Sequence, residues 1–411
     1  MPSVSVRIDS IAAGGDGVGR SDGLVVFVPR TAPGDIVTAQ ISGKGHFARG
    51  TLRTVVTPSP SRIDPPCSHY TRDRCGGCQV QHLTYEAQLA AKQLIVRDSL
   101  QRIGKRTVEP PPIERSPQEW RYRTKLTLSM RRRGARWIAG LHPYDDPGAV
   151  FALADCPITD RRVVATWREV MSADAYFPDS RELRGSVRIT SGGATLVMMG
   201  GHAWPSRDQF SAAVPSVAAL WWEPDGEALR RRVYDRRPDR SPGASFAQVN
   251  AEVASELRTF VVTRIKSLGA RSVVDSYAGA GHTAFELAGA GMMVTAIELD
   301  ADASAWSAER LLPPSRAVHA RVEDALPAHL PADVVILNPP RAGLDARVTE
   351  TLEAHAATTR RLIYISCNPA TLARDVSRLP GFRIESLRAF DMFPQTAHVE
   401  TVCELSSQAG E

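Results

Sequence analysis

The C-terminal part of the chain, from about Glu252 onward, alternates short apolar segments with helical ones. Strands are predicted at four apolar segments: Ser272–Val274, Met293–Ile297, Val334–Leu337 and Leu362–Ser366. Such alternation predicts the α/β class, a doubly wound parallel sheet with helices on both faces. Ligands of open α/β sheets bind at the carboxyl ends of the strands. The residues that follow each strand are therefore the first candidates for a functional site.

A cysteine follows the last of these strands. Cys367 ends the apolar run that begins at Leu362, and Asn368-Pro369 starts a turn directly after it. No second cysteine lies two to four positions away, which is the spacing of paired zinc ligands. We therefore predict that Cys367 is a nucleophile. The alternative is a buried structural thiol, which is common for single cysteines.

The first strand leads into a glycine-bearing turn, Asp275 to Gly281, before a helix that is predicted to begin at about Thr283. Gly279 and Gly281 allow the backbone to approach a ligand closely, where a side chain would collide. At the end of the next strand, Glu298 suits the two hydroxyls of a ribose. Asp324, further along, is predicted to face an adenine amino group. The pattern favours an adenosine-containing cofactor, and the missing P-loop lysine argues against a nucleoside triphosphate.

Two more polar residues are predicted near this edge of the sheet. Asn338 precedes Pro339-Pro340, and the fixed φ of the prolines holds its amide in one direction. An amide both donates and accepts hydrogen bonds, so it can read the edge of a base. Glu400 lies within an apolar alternation that predicts a strand, with its carboxylate at the active-site rim. A surface glutamate on an edge strand is the alternative.

The N-terminal half predicts two further domains. Leu24–Pro29 and Asp35–Ile41 are predicted strands, separated by glycine-rich turns, and such short strands suggest an OB-type barrel, a fold that commonly binds nucleic acid. We predict a barrel at 1–57, a strand-rich central domain at 58–240 and the α/β domain at 241–411. An amphipathic helix is predicted at Tyr85–Ile103.

Four of the six cysteines are predicted metal ligands: Cys67, Cys75, Cys78 and Cys156. Four thiolates can hold zinc or an iron-sulfur cluster, and the spacing alone does not separate the two. The Cys156-Pro157 pair is typical of ferredoxin-type clusters.

Composition and charge restrict the class of protein and its partners. The chain has 411 residues, of which 43% are hydrophobic and 23% charged, as in ordinary globular proteins. No membrane span or export signal is evident, so a cytoplasmic location is predicted. Residues 101–140 carry eleven Lys or Arg against three acids, and residues 230–240 carry six Arg against two Asp. Such patches suit a polyphosphate partner, although either one alone is equally compatible with a solvated arginine-rich surface.

Taken together, these motifs resemble the RNA (uracil-5-)methyltransferases that carry an N-terminal TRAM domain and an iron-sulfur cluster. The likeness rests on the four cysteines, Phe246 to Asn250, Asp275 to Gly281, Asn338 to Gly343, Ser366 to Pro369 and His398 to Thr401. It implies S-adenosylmethionine as the methyl donor. The implied cofactor pocket consists of Gln248, Tyr277, Gly279, Gly281, His282, Glu298, Asp324 and Asn338.

The resemblance also implies residue roles and a substrate. Cys367 would be the nucleophile and Glu400 the base, and the four cysteines would hold a [4Fe-4S] cluster in preference to zinc. The helix region 85–115 would pack on the catalytic domain, and the protein is expected to be a monomer. The implied substrate is a uridine in RNA, with 23S ribosomal RNA favoured over transfer RNA.

Two other functions are compatible with the motifs: methylation of another base position in RNA, and a non-catalytic RNA-binding iron-sulfur protein. The family usually has Asp where this chain has Asn338, a neutral amide that can still pair with uracil. A nearby positive charge or dipole is expected to lower the pKa of the Cys367 thiol.

Overall fold

The computed structural model describes residues 3–43, 46–134, 136–227, 230–238 and 241–408. Asp239 and Arg240, which belong to the arginine-rich segment 230–240 described above, lie outside these ranges. The chain forms two compact units: the first comprises 1–63, 82–117 and 252–411, and the second comprises 64–81 and 118–251. The division predicted from the sequence, at 57 and 240, stays a prediction.

The first unit begins with a closed five-stranded barrel, which confirms the predicted barrel. Its strands are β1 (Ser3–Ile11), β2 (Gly17–Ser21), β3 (Leu24–Val28), β4 (Ile36–Ser42) and β5 (Phe47–Thr57), in the order β1-β2-β3-β5-β4. Alternate residues point inward and fill the barrel, as the two-residue period of a strand requires. They include Val6, Ile8, Val26, Val28 and Val37.

A buried ion pair ties the barrel to the segment that follows it. The Asp35 carboxylate accepts hydrogen bonds from the Arg62 side chain and from the backbone N–H groups of Ala32 and Ser59. Burial alone would raise the pKa of Asp35, but these hydrogen bonds lower it below its ordinary value. The ionised carboxylate is therefore the stable form here.

Three elements follow before the central sheet: α1 (Ser68–Thr71), α2 (Tyr85–Arg102) and β6 (Ile113–Glu114). Helix α2 confirms the predicted helix at Tyr85–Ile103, and the Thr84 hydroxyl caps its first turn by accepting from Ala87 N–H. Residues 82–117 belong to the same compact unit as the α/β sheet.

The second unit is built on a seven-stranded sheet. Its elements are β7 (Lys125–Arg133), β8 (Arg136–Leu141), β9 (Phe151–Ala152), α3 (Arg161–Ser172), β10 (Glu182–Thr190), β11 (Gly193–Met199), α4 (Arg207–Ala213), β12 (Val217–Glu223) and β13 (Arg231–Asp235). The strand order is β13-β12-β11-β10-β7-β8-β9. One face of this sheet packs against α3 and α4 around an apolar core that includes Trp167, Phe210 and Trp222.

The rest of the first unit is the predicted α/β sheet. Its helices are α5 (Ala251–Ser267), α6 (His282–Gly289), α7 (Ala301–Ala308), α8 (Val322–Ala325), α9 (Ala346–Ala354) and α10 (Pro369–Ser377). Its strands are β14 (Ser272–Ser276), β15 (Met293–Glu298), β16 (Arg316–His319), β17 (Val334–Leu337), β18 (Arg361–Ser366), β19 (Phe382–Phe390) and β20 (Glu400–Ser407). The order is β16-β15-β14-β17-β18-β20-β19-β6.

Strands β14 to β18 run parallel, and all four strands that were predicted from the sequence are confirmed. Strand β20 is antiparallel and lies between β18 and β19. The alternative that Glu400 is a surface residue on an edge strand is therefore wrong. Within the described ranges, no helix is both long enough and apolar enough to cross a membrane.

Candidate active site

The register of β18 and β20 brings the predicted nucleophile and base together. Ser366 is paired with Thr401, so the next residue on each side, Cys367 and Glu400, lie opposite each other at the carboxyl end of β18. Cys367 is half-buried, whereas Glu400 is 2% exposed. Burial of this kind favours the neutral form of an acid.

Electrostatics couple the two side chains, which we call the thiol–carboxyl pair. Burial raises the pKa of Glu400 to about 8, and the Arg341 guanidinium partly opposes this rise. Burial, and then the Glu400 charge, raise the pKa of the Cys367 thiol; Arg341 opposes the rise through its charge and a hydrogen bond. The expectation of a lowered thiol pKa is therefore wrong for the ligand-free chain, because burial outweighs the opposing effect of Arg341.

Arg341 contacts this site and was not selected from the sequence. It follows Asn338-Pro339-Pro340 on the loop after β17, and two side chains from the Cys367 loop and α10 hold that loop. Asn368 Nδ2 and Thr371 Oγ1 both donate to the Arg341 carbonyl, at 3.3 and 3.4 Å. A strand-end arginine next to the predicted base-reading amide was the available signal in the sequence.

Helix α10 holds the same loop further along. Arg374 donates to the carbonyl oxygens of Ala342 and Leu344, and Asp375 accepts from Leu344 N–H at 2.8 Å. Gly343 lies between these contacts with φ of 80°, and a Cβ there would come within 2.5 Å of Arg374 Nη2 and Asp375 Oδ2. Glycine fits this position without strain at the positive φ and without displacing the Arg374 and Asp375 side chains.

A second buried pair positions the chain that leads into β20. Lys92 of α2 is 1% exposed and donates to Asp391 and, at 3.0 Å, to the Phe393 carbonyl oxygen. Gln88 of the same helix exchanges two hydrogen bonds with Gln395. Helix α2 thus fixes the segment before Glu400, a contact between residues about 300 positions apart that the sequence pattern did not reveal.

The glycine turn after β14 has the geometry expected of a ligand cradle. Gly279 has φ of 57° and open space where a Cβ would point. Glu298 accepts from the N–H groups of Gly279 and Asp300, both at 2.7 Å, so its carboxylate joins the ends of β14 and β15. Asp275, behind the turn, is buried with one carboxylate oxygen lacking a hydrogen-bond partner among the described residues. Burial, and then Glu298, raise its pKa to about 7.

Two acids follow β16, and they differ in exposure. Asp324 is exposed and accepts from Arg347 at 2.8 Å. The side chain of its neighbour Glu323 is only 12% exposed. Burial raises the pKa of Tyr277, and the negative charge of Glu323 raises it further. Tyr277 itself has a positive φ of 62°. Glu323 is thus a second acid near this cradle that the sequence reasoning did not select.

The remaining predicted pocket residues lie as follows. Gly281 precedes α6 with φ of 77°, and His282 is the first residue of that helix. Asn338 is half-buried and its backbone N–H donates to the Ser276 carbonyl at 3.3 Å, which holds it next to the end of β14. Gln248 is half-buried in the second compact unit. The cofactor-binding roles of all these residues stay predictions.

The four predicted metal ligands share one buried region of the second unit. All four thiols are buried, and three of these residues belong to its apolar core. Burial raises the pKa of the Cys78 thiol, and Cys156, Cys75 and Cys67 raise it further, so the four thiols are close enough to interact. Among the described residues, however, no three His, Cys, Asp or Glu side chains form a metal-binding group.

Comparison with known proteins gives the family. Residues 315–408 match the family model described as tRNA (Uracil-5-)-methyltransferase. An uncharacterized RNA methyltransferase of Thermosynechococcus vestitus is 33% identical, over 98% of this chain and 98% of its own. Another, of Gloeobacter violaceus, is 32% identical, over 98% of this chain and 96% of its own.

A solved structure shares the fold. The Pyrococcus abyssi tRNA (uracil-54, C5)-methyltransferase, in complex with S-adenosyl-L-homocysteine, superposes with a TM-score of 0.69 at 22% identity, over 98% of this chain and 100% of that one.

The relatives and the fold define the class of this protein, which is an RNA methyltransferase. The chain belongs to the RNA (uracil-5-)methyltransferase family, as the resemblance implied. The alternative of a non-catalytic RNA-binding protein is wrong.

Proposed function

We propose that this enzyme transfers a methyl group from S-adenosylmethionine to C5 of a uridine in RNA, through a covalent bond between Cys367 and C6 of the base. The observation that carries the proposal is the thiol–carboxyl pair at the end of β18, with Arg341 acting on both members. C5 of uracil is too weak a nucleophile to attack a sulfonium methyl group directly. A thiolate that adds to C6 places the electrons of the ring on C5 and overcomes this limit.

Each member of the pair has one task. The Cys367 thiolate forms the S–C6 bond, and the C5=C6 electrons become available as an enolate. After C5 has gained the methyl group, Glu400 removes the C5 proton, the C5=C6 double bond re-forms and the thiolate leaves. A base with a pKa of about 8 is matched to this task near neutral pH, because general bases work best when their pKa lies close to the working pH.

The single guanidinium of Arg341 explains how one buried site can use two anions. While Glu400 is neutral, Arg341 stabilises the Cys367 thiolate. Once sulfur is bound to C6, that negative charge has left the thiol, and Arg341 is then available to stabilise ionised Glu400. In this order of steps, the Cys367 thiolate and the Glu400 carboxylate are never both charged at the same time. This order avoids the repulsion between the two groups, by which the Glu400 charge raises the pKa of Cys367.

The glycine turn supports binding of S-adenosylmethionine, whose sulfonium centre supplies the methyl group. The open side of Gly279 leaves room for a ligand against the backbone, and behind the turn one Asp275 oxygen has no hydrogen-bond partner among the described residues. Glu298 keeps further acceptor capacity for ribose hydroxyls while it holds the turn. We assign the remaining predicted pocket residues to the same cofactor: Gln248, Tyr277, Gly281, His282, Asp324 and Asn338.

We also propose that the four buried cysteines hold a [4Fe-4S] cluster. The support is the chemistry of the donor set: four buried thiols lie in one region, three of them act electrostatically on the fourth, and four cysteine thiolates are the ligands of such a cluster. Iron and acid-labile sulfide analysis of protein purified without oxygen tests this: four of each per chain support the cluster, and stoichiometric zinc rejects it.

The covalent step is tested with RNA in which uracil is replaced by 5-fluorouracil, because fluorine at C5 cannot be removed as a proton. The wild-type enzyme should form a stable protein–RNA adduct that survives denaturing electrophoresis. The variant Cys367→Ala should form none. With ordinary RNA, Glu400→Gln should accumulate the methylated adduct, since sulfur leaves only after the C5 proton. An adduct that persists with Cys367→Ala rejects the mechanism.

We propose ribosomal RNA as the substrate, with transfer RNA as the second candidate because the family model and the Pyrococcus abyssi enzyme carry that name. Mass-spectrometric mapping of 5-methyluridine in RNA from cells with and without the protein separates the two. The same experiment detects methylation of another base position.

A further inference from the structure

The outer face of the central sheet carries a row of cations that the proposed chemistry does not use. Lys125 of β7 and Arg184 and Arg188 of β10 point to the face opposite the apolar core, because the intervening residues Leu126 and Val187 are buried in that core. Strand period two explains this separation. Together with Arg230, these side chains line a cavity of 240 Å³, which we call the basic pocket.

Two of these cations stand directly opposite each other. The register of β7 and β10 pairs Lys125 with Arg188, and like charges in directly opposed positions destabilise a sheet. Arg188 is only 8% exposed. Burial, followed by the charges of neighbouring arginines, lowers the pKa of Lys125 to about 8 and that of Arg188 to about 10. The basic pocket therefore brings several positively charged side chains together where they are partly shielded from water.

Little negative charge inside the pocket balances these cations. Glu223 is the one acid among the described lining residues, and Arg230 already engages it at 2.6 Å. Arg188 donates to the Ser245 carbonyl at 2.7 Å. Lys125 Nζ has no hydrogen-bond partner within the described part of the chain. The Thr127 hydroxyl donates to the Ser186 hydroxyl at 3.1 Å, which leaves the Ser186 proton as one neutral donor between the cations.

We propose that the basic pocket binds a phosphate of the RNA backbone, outside the catalytic site. A phosphodiester would supply the missing negative charge and would accept hydrogen bonds from Lys125, the arginines and the Ser186 hydroxyl. The described lining contains no aromatic side chain on which a base could stack, so the contact positions RNA without reading sequence. This inference rests on the proposed function, because RNA is the ligand of both.

The test uses the full-length enzyme and labelled RNA. Fluorescence anisotropy measures the affinity for fragmented bulk ribosomal RNA, and separately for bulk transfer RNA, from 50 to 300 mM salt. Lys125→Met should weaken both affinities by roughly tenfold, as expected for loss of one charged hydrogen bond. It should also lower the slope of log affinity against log salt by about 0.7 to 0.9, since one phosphate contact is lost.

The matched control is Arg161→Met, which removes one exposed positive charge at the start of α3 and does not line the pocket. It should leave the affinity within about twofold. Equal effects of the two substitutions would mean that only net charge matters, and would overturn the proposal. So would a Lys125→Met variant that binds RNA like the wild type.

A thermal melt of the RNA-free protein separates binding from a structural role. Lys125→Met should raise the melting temperature, because it removes a like-charge pair; a lowered melting temperature would overturn the proposal. Inorganic phosphate is the competing ligand. If phosphate raises the melting temperature of the wild type as much as RNA does at equal ionic strength, the pocket binds a free anion and the RNA assignment fails. None of these measurements requires methyl transfer. An enzyme that binds RNA through Lys125 but never forms 5-methyluridine would refute the proposed function alone.

Discussion

The burial of Glu400 predicts a stability that depends on pH, and the variant Glu400→Gln tests it. The pKa of Glu400 is raised from its ordinary 4.5 to about 8. Between these values the folded chain keeps a proton that the unfolded chain releases. The contribution of Glu400 to stability is therefore fully present below about pH 4.5, and it is lost as the pH rises to about 8.

The size of the effect follows from the same two values. The distance from 4.5 to about 8, at about 1.4 kcal/mol for each pH unit, corresponds to about 5 kcal/mol at pH 9. At pH 5 the loss is below about 1 kcal/mol. Glutamine has nearly the shape of the protonated side chain and cannot ionise, so it avoids the loss. Glu400→Gln should therefore be more stable than the wild type by several kcal/mol at pH 9 and close to it at pH 5.

Thermal or urea unfolding of both proteins at pH 5, 7 and 9, without ligands, measures the difference. Glu404→Gln is the matched control, since Glu404 is on the same strand and equally buried but is bound by Arg264 at 2.7 and 3.0 Å. It should lower the stability at all three pH values, because it removes the acceptor of that ion pair. A stability difference for Glu400→Gln that does not change with pH would refute the reasoning, since an ordinary carboxyl would then occupy the site.

Three further predictions follow from the site. Lys92→Met should lower the free energy of unfolding by about 3 to 5 kcal/mol, because it leaves Asp391 buried without its cation; the double variant with Asp391→Asn should recover part of the loss, and urea titration measures both. Gly343→Ala should reduce methyl transfer more than stability, because the added Cβ would push against Arg374 and displace the loop that carries Arg341, as steady-state kinetics and melting curves on one preparation would show. The rate of methyl transfer should fall as the pH drops below about 8, because the Cys367 thiolate and then, in a later step, the Glu400 carboxylate act in their ionised forms, and both groups have raised pKa values; a rate that is flat from pH 6 to 9 would contradict this.

The sequence predicted the local parts of the structure well because local signals determine them. The strands after Glu252 are short apolar runs bounded by turn residues, and each was found within two residues of its predicted bounds. Helix α2 was found in the same way from its periodicity. The carboxyl ends of parallel strands meet at one edge, so Cys367 and Asn338 could be placed there before their contacts were known.

Contacts between distant parts of the chain could not be predicted. Lys92 meets Asp391 across about 300 residues, and nothing in the amphipathic pattern of α2 marks one lysine as buried. The different exposures of Asp324 and Glu323 could not be read from the sequence, since a four-residue helix turns adjacent acids in different directions. The cofactor role of Asp324 stays a prediction. The basic pocket was similarly hidden, because its cations belong to separate strands and only their pairing brings them together.

The same reasoning explains why the predicted lowering of the Cys367 pKa was wrong. The prediction considered the chemistry of one residue, a thiol that must ionise to react. The structure adds the cost of burying that thiol beside a carboxyl and one guanidinium. Asp275, Glu400 and Cys367 all have raised pKa values, so the protonated form of each is favoured in the ligand-free chain. These groups are suited to ionise only when the cationic methyl donor and the RNA base are bound. A buried charge is costly without a partner, and the bound ligands would supply partners that the protein alone does not provide.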